Sequence, residues 1–298
     1  MLRTMQGKIC LITGATSGIG KETALGLARR GAHVAIVGRD ADRTRAAAES
    51  IRREVGTEEV AFLPADLSSL AEVRRLAREF QARYSRLDVL VNNAGGIFTR
   101  RETSVDGFER TWALNHLSYF LLTQELLELL KASAPARIVN VASTMHTRGV
   151  IDFDDLQGEK SYGGIRAYSR SKLANVLFTY ALARRLEGSG ITANCLHPGG
   201  VATGFGQNRP GVLKLILRLA RPFLITPEQG AATSIHLASS PDLEGASGQY
   251  FAKCKPARSS AASYDEALQE RLWALSLQQI GPDGASAPIT RPAAGSAP

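Results

Sequence analysis

From Lys8 to Lys21 the chain reads KICLITGATSGIGK. The apolar run from Ile9 to Thr13 has the length of a strand buried on both faces, and a helical pattern begins near Lys21. Between them stand Gly14, Gly18 and Gly20, with Ser17 and Ile19 in the same turn. A strand that passes through glycines into a helix start makes a phosphate site. Glycines let the backbone approach a pyrophosphate, and the unpaired N–H groups of the first helical turn face its charge. The spacing differs from G-x-G-x-x-G, and glycines in such a turn also serve close packing, so the surrounding sequence must decide.

Working outward, short Val- and Ile-rich runs recur at 34–37, 60–63, 89–92, 138–141 and 191–196. Helix-period segments alternate with them at 21–30, 41–55, 70–84, 107–131 and 168–186. Buried strands that alternate with helices of this length imply parallel βαβ units. The expected fold is therefore α/β, a single doubly wound Rossmann-type domain whose parallel sheet carries helices on both faces. It spans residues 1–280. In the final 18 residues, 281–298, Pro, Ala, Gly and Ser supply 14, too little apolar surface to offset the entropy of ordering, and a disordered tail is expected.

Composition agrees with this class. The 298 residues are 44% hydrophobic and 21% charged, with a formal net charge of +8, an ordinary globular balance. No apolar stretch reaches the roughly 18 residues that would span a bilayer, and a cytoplasmic location is expected. The three cysteines, Cys10, Cys195 and Cys254, are odd in number and far apart, which argues against a disulfide or metal framework; no metal site is expected. The positive balance raises the question of nucleic acid. Its arginines, such as Arg29, Arg52 and Arg74, are spread through helical segments with glutamates nearby, the pattern of solvated helix faces, and no nucleic-acid partner is expected.

The strand ends carry the remaining ligand signals. Gly38-Arg39-Asp40 closes the second strand, where a dinucleotide fold reads the adenosine ribose. Arg39 can pair with a 2′-phosphate, which favours NADP(H), whereas a rotated Asp40 would instead accept from a 2′-hydroxyl. Asp66-Leu67 follows the third strand and Asn92-Asn93-Ala94-Gly95 the fourth, again at carboxyl ends. Asn, Asp and Gly supply turns in any case, so it is their joint placement that informs.

Tyr168 and Lys172 lie four apart on an expected helix, within reach of each other on one face, and Ser143 follows the fifth strand at the same sheet edge. A phenol with an ordinary pKa of about 10 is a poor acid at neutral pH. A neighbouring ammonium and a cationic nicotinamide both favour phenolate and bring that value down, which makes Tyr168 a usable proton donor and acceptor.

Thr13-Gly14-x-x-x-Gly18-Ile-Gly20, Asn92-Asn93-Ala94-Gly95, Asn115, Ser143, Tyr168-x-x-x-Lys172 and Pro198-Gly199, in this order, resemble the short-chain dehydrogenase/reductase family. Leu156-Gln-Gly-Glu-Lys160, Lys172-Leu-Ala-Asn-Val-Leu-Phe178, His197-Pro198-Gly199, Ser247 to Phe251 with Cys254, and Arg271-Leu272-Trp273 are similar to its retinol dehydrogenase and WW-domain oxidoreductase branch. The resemblance implies roles. Ser143 hydrogen-bonds the substrate oxygen, Tyr168 exchanges the proton, and Lys172 holds the nicotinamide ribose while lowering the tyrosine pKa. Asn115 positions Lys172 through a water, and Pro198-Gly199 wall the nicotinamide. Gly14, Ser17, Gly18, Ile19, Gly20, Arg39, Asp66, Leu67, Asn93, Ala94 and Gly95 line the rest of the NADP site.

The function expected is an NADP(H)-dependent interconversion of a carbonyl and an alcohol on a lipophilic, retinoid-like small molecule. Ser143 precedes Tyr168 by 25 positions, longer than in many members of the family, and the insert from Met145 to Arg166 is expected to line the substrate entrance. Neither the N-terminal anchor helix of many retinol dehydrogenases nor a WW module is read in the chain, which favours a soluble relative. Two other classes share the fold: a nucleotide-sugar epimerase or dehydratase, disfavoured by the glycine spacing, and a non-catalytic dinucleotide-binding scaffold or redox sensor, disfavoured by the intact reactive group. Residues 200–226 occupy the family's substrate-covering position. Within them, Gly211 to Ile225 place Lys214, Arg218 and Arg221 on one helical face and leucines on the others. That pattern suits a lid, or a lid that also docks on an anionic membrane surface. The helices at 115–131 and 168–186 carry apolar residues on more than one face, and members of the family pair through them, so a homodimer is expected.

Overall fold

The computed structural model describes residues 4–200 and 225–281. Strands β1 (Ile9–Thr13), β2 (His33–Gly38), β3 (Val60–Pro64), β4 (Val89–Asn92), β5 (Ala136–Val141), β6 (Ile191–His197), β7 (Tyr250–Ala252) and β8 (Lys255–Ala257) form one sheet in the order β3-β2-β1-β4-β5-β6-β7-β8. The first seven are parallel, and β8 returns antiparallel to β7. Chain order reverses between β1 and β4, which opens a crevice at their carboxyl ends.

The helices are α1 (Gly18–Ala28), α2 (Ala41–Val55), α3 (Leu70–Arg83), a composite α4 (residues 110–132), α5 (Gly164–Arg185), α6 (Pro227–Ser239) and α7 (Glu266–Ile280). Side chains alternate along each strand, so a strand covered on both sides must be apolar at every position. In β1, Cys10 and Ile12 join one core with α1, α2 and α6, while Leu11 joins the other with α3, α4 and α5. This explains the continuous apolar runs. Helix boundaries follow local chemistry. Asp40 caps α2 by accepting from the Arg43 N–H at 2.9 Å, and Gly56, at φ +70°, closes it.

The long helix expected at 107–131 is broken. It starts at Arg110, where the Glu109 carboxylate accepts from the N–H groups of Thr111 (2.8 Å) and Trp112 (2.9 Å), and it widens into a π turn at Ala113–Leu117 before interrupting at Leu126. Periodicity also gave no sign of α6, α7, β7 or β8. Helix α6 is built of small residues and packs tightly on α1: a Cβ on Gly26 would lie 2.3 Å from Cδ1 of Ile235. Such a helix has no apolar stripe to read.

Cys10 and Cys195 are buried, and all three cysteines are free. Among the described residues no helix is long and apolar enough to cross a membrane, and no cluster of side chains suits a metal ion. The expected lid at 200–226, with its basic and apolar helix at 211–225, and the expected tail at 281–298 fall outside the described residues except at their edges.

Candidate active site

Every residue read as a ligand contact at a strand end stands at the carboxyl edge of the sheet. Gly14 has φ +65°, and a Cβ there would lie 2.6 Å from Cα of Ala94; a Cβ on Gly20 would lie 2.3 Å from the Gly14 carbonyl oxygen. Both glycines are therefore required by the protein's own packing. The Thr13 hydroxyl accepts from the N–H groups of Asn93 (2.9 Å) and Ala94 (3.0 Å), and Asn93 Nδ2 donates back to the carbonyls of Thr13 (2.8 Å) and Gly14 (3.1 Å). The turns after β1 and β4 thus form one unit.

Ser17 precedes α1 without capping it, and the first turn, with Gly18 and Ile19, carries no acidic side chain. The helix dipole there is left for an anion. Arg39 is exposed and makes no hydrogen bond or ion pair with the described residues, whereas the Asp40 side chain is committed to the α2 cap. One Asp66 oxygen accepts from the Ser68 N–H (3.0 Å) and hydroxyl (2.7 Å), and Leu67 is buried. Gly199, at φ +96°, follows Pro198, and its N–H donates to His197 Nδ1 at 2.9 Å. A nicotinamide dinucleotide fits this set: a glycine turn, an uncapped helix start and an unpaired guanidinium lie along one sheet edge.

The reactive group is contiguous with it. A Cβ on Gly95 would stand 3.3 Å from Asn115 Oδ1 and 3.5 Å from Lys172 Nζ. On α5, Lys172 is buried at 3% exposure; its ammonium donates to the Val141 carbonyl at 2.8 Å and lies 5.7 Å from the centroid of the Tyr168 ring. Burial brings its pKa down to about 7. Burial pushes the Tyr168 phenol up, and a hydrogen bond with the Ser143 side chain pulls the other way. The protein alone therefore sets Tyr168 above its ordinary value, opposite to the direction read from the ammonium and nicotinamide charges. Ser143, two residues past β5, accepts at Oγ from the Met145 N–H (3.2 Å), which leaves its O–H as the donor in the bond with Tyr168.

Asn115 sits inside the π turn. Its Oδ1 accepts from the Gly96 N–H (2.8 Å), while Nδ2 donates to the Gly96 carbonyl (3.0 Å) and the Ser171 hydroxyl (2.9 Å). Among the described residues no hydrogen bond joins it to Lys172; its side chain pins the Asn93–Gly96 turn to α5. Its backbone carbonyl accepts from Asn175 Nδ2 at 2.8 Å. Asn175 and His146 were not singled out from sequence. Asn175 had a signal, since Lys172, Asn175 and Thr179 put polar groups at i, i+3 and i+7 on a helix otherwise rich in apolar residues.

Residues 8–211 match the family described as short chain dehydrogenase. The chain belongs to that family. It is 46% identical to retinol dehydrogenase 12 of Mus musculus over 92% of this chain and 87% of that protein, and 46% identical to retinol dehydrogenase 14 of Homo sapiens over 93% and 87%. It is thus an oxidoreductase of the retinol dehydrogenase branch. Among solved structures, this short-chain dehydrogenase resembles an uncharacterized Mycobacterium Paratuberculosis protein (TM-score 0.75, 34% identity, 92% and 94% of the two chains). It also resembles Pseudomonas aeruginosa RhlG in an active-site complex with NADP (TM-score 0.68, 31% identity, 84% and 96%).

Proposed function

We propose that this dehydrogenase interconverts a carbonyl and an alcohol on a lipophilic, retinoid-like small molecule, with NADPH preferred over NADH. The observation that carries the reading is the contiguity of Ser143, Tyr168 and Lys172 with the glycine turn, at one edge of the sheet. When bound, the nicotinamide supplies or takes the hydride. In the reducing direction, the Ser143 O–H donates to the substrate oxygen and the Tyr168 O–H gives it a proton; in oxidation the phenolate takes that proton back. Lys172, beside the phenol, stabilises the phenolate in its charged form.

Two features support the finer points. Among the described residues Arg39 is exposed and has no hydrogen bond or ion pair while Asp40 caps α2, so the guanidinium is the group available to a 2′-phosphate. Ile165, 62% exposed, stands three residues before Tyr168 on α5, and Val150, 70% exposed, follows Gly149, which packs on the Ser169 carbonyl. Both are exposed apolar side chains, one on the helix that carries Tyr168 and one shortly after Ser143, as a lipophilic substrate would need.

The test is NADPH and NADH oxidation by the purified protein with aldehydes and ketones of increasing chain length, all-trans-retinal among them. Tyr168→Phe is expected to keep NADPH binding and lose about two orders of magnitude or more in kcat. Arg39→Asp is expected to lower the NADPH/NADH preference about tenfold or more, the effect of one charge-assisted bond. Near wild-type turnover in Tyr168→Phe would remove it from the chemistry, and an unchanged cofactor ratio would remove Arg39 from the site.

A further inference from the structure

Ser143 is held from behind as well as in front. His146, three residues on and 1% exposed, reaches the Ser143 carbonyl with both its backbone N–H (3.1 Å) and its ring Nδ1 (2.6 Å). The Nε2 of the same ring lies 3.0 Å from the backbone N–H of Ser260. An amide N–H only donates, so Nε2 accepts; a carbonyl only accepts, so Nδ1 carries the proton. The contacts select one neutral tautomer, and burial disfavours the charged ring in the same sense. Among the described residues no carboxylate is paired with it. The ring faces Tyr250 at 5.0 Å between centroids, and His197 is a second titratable neighbour.

The far end of this bridge is anchored. Ser260 lies between β8 and α7, where the Ser259 hydroxyl meets the Tyr180 hydroxyl at 2.7 Å and the Ser263 hydroxyl at 2.6 Å. The Ser260 carbonyl accepts from the N–H (3.0 Å) and hydroxyl (2.6 Å) of Ser263. Tyr180 belongs to α5, the helix that carries Tyr168 and Lys172. The bridge therefore runs from the serine's backbone to the segment braced on the tyrosine's helix.

We propose that His146 is a positioning residue: Nδ1 fixes the backbone of Ser143, Nε2 ties it to the Ser260 segment, and the serine hydroxyl is thereby held in register with Tyr168. The proposal rests on the reading of Ser143, Tyr168 and Lys172 as the reacting group. Two substitutions separate the two ends of the ring, because an asparagine amide falls near the place of Nδ1 and a glutamine amide near that of Nε2. His146→Asn keeps a donor for Ser143 but gives up the Ser260 end, and is expected to lose less in kcat than His146→Gln. His146→Gln keeps only the Ser260 end and is expected to lose about tenfold to a hundredfold in kcat, the scale of a small misplacement, with NADPH affinity unchanged. Its pH midpoint for alcohol oxidation should move up, because the Ser143 bond that lowers the phenol pKa is loosened.

Nitrogen-15 NMR of the wild-type histidines at neutral pH, a readout independent of turnover, is expected to show one buried neutral imidazole protonated at Nδ1. A loss in His146→Asn as large as that in His146→Gln, wild-type kinetics in His146→Gln, or a His146 ring, assigned by its absence from the spectrum of His146→Asn, that is Nε2-protonated or charged would overturn the proposal. Absence of turnover in the wild-type protein with every carbonyl would instead sink the functional reading, and the tautomer alone would then judge the bridge.

Discussion

Lys172 shows how a single side chain is shaped by placement. Its ammonium is removed from water, with the Val141 carbonyl at 2.8 Å and the rings of Tyr119 and Tyr168 at 5.6 and 5.7 Å, and its pKa falls to about 7. An unfolded lysine titrates near about 10.4, so between about pH 7 and 10 the unfolded chain binds more protons than the folded one, and the stability of the cofactor-free protein rises with pH across that window. Below it the burial penalty is felt in full. Lys172→Met should therefore abolish turnover yet raise the Tm of the cofactor-free protein near pH 6 by about 2 °C or more, with the gain shrinking towards pH 9. Thermal unfolding across that range checks this; a lower Tm near pH 6 would mean that the carbonyl contact outweighs the desolvation. The pairing of Tyr168 with Lys172 and Ser143 was legible in the sequence because i, i+4 spacing and strand ends fix proximity. The upward push on the Tyr168 pKa was not, because burial is a sum over distant neighbours that no spacing records.

At the scale of elements, the π turn at Ala113–Leu117 is the departure that matters most for the site. The apolar pattern of 107–131 reads as one helix because its periodicity is local, whereas the bonds that hold the widened turn come from α5, 56 residues away at Ser171 and 60 at Asn175. A π turn shifts the side chains beyond it by one position around the axis, and such turns are frequent at functional sites. Here it lets the Asn115 side chain face Gly96 and Ser171 while its carbonyl faces Asn175. Asn175→Ala strands that buried carbonyl and should cost about 1–3 kcal/mol by chemical denaturation. Catalysis should fall with it, as the π turn that presents Asn115 to Gly96 and Ser171 loses one of its two bonds to α5. Unchanged stability and kcat would show that regular helix geometry serves this position equally well.

Over the whole molecule, the alternation of buried runs and helices made the doubly wound parallel sheet through β6 legible, since right-handed crossovers leave few other arrangements, while the strand order itself is set by the packing of the helices. The C-terminal part was less legible because α7 is defined by what it covers. Trp273 lies 4.9 Å from Phe120 and stacks at 5.8 Å on Phe178, with the Arg185 guanidinium 4.1 Å from its ring centroid. Gln279 accepts from the Trp112 indole N–H at 3.0 Å, and Ser276 meets His116 Nε2 at 2.9 Å. These partners belong to α4 and α5, the helices whose extra apolar faces suggested a homodimer. The chain's own C-terminal helix occupies that surface, so association of the full chain is expected to use another face. Trp273→Ala empties the centre of the contact and should cost about 3–5 kcal/mol, as other buried aromatics do. It should also expose Phe120 and Phe178, so sedimentation velocity at equal concentration is expected to show heavier species in the variant than in the wild type. A variant that loses stability but sediments like the wild type would mean that α7 stays docked without its tryptophan; one that keeps both would mean that the helix contributes little to closing this face.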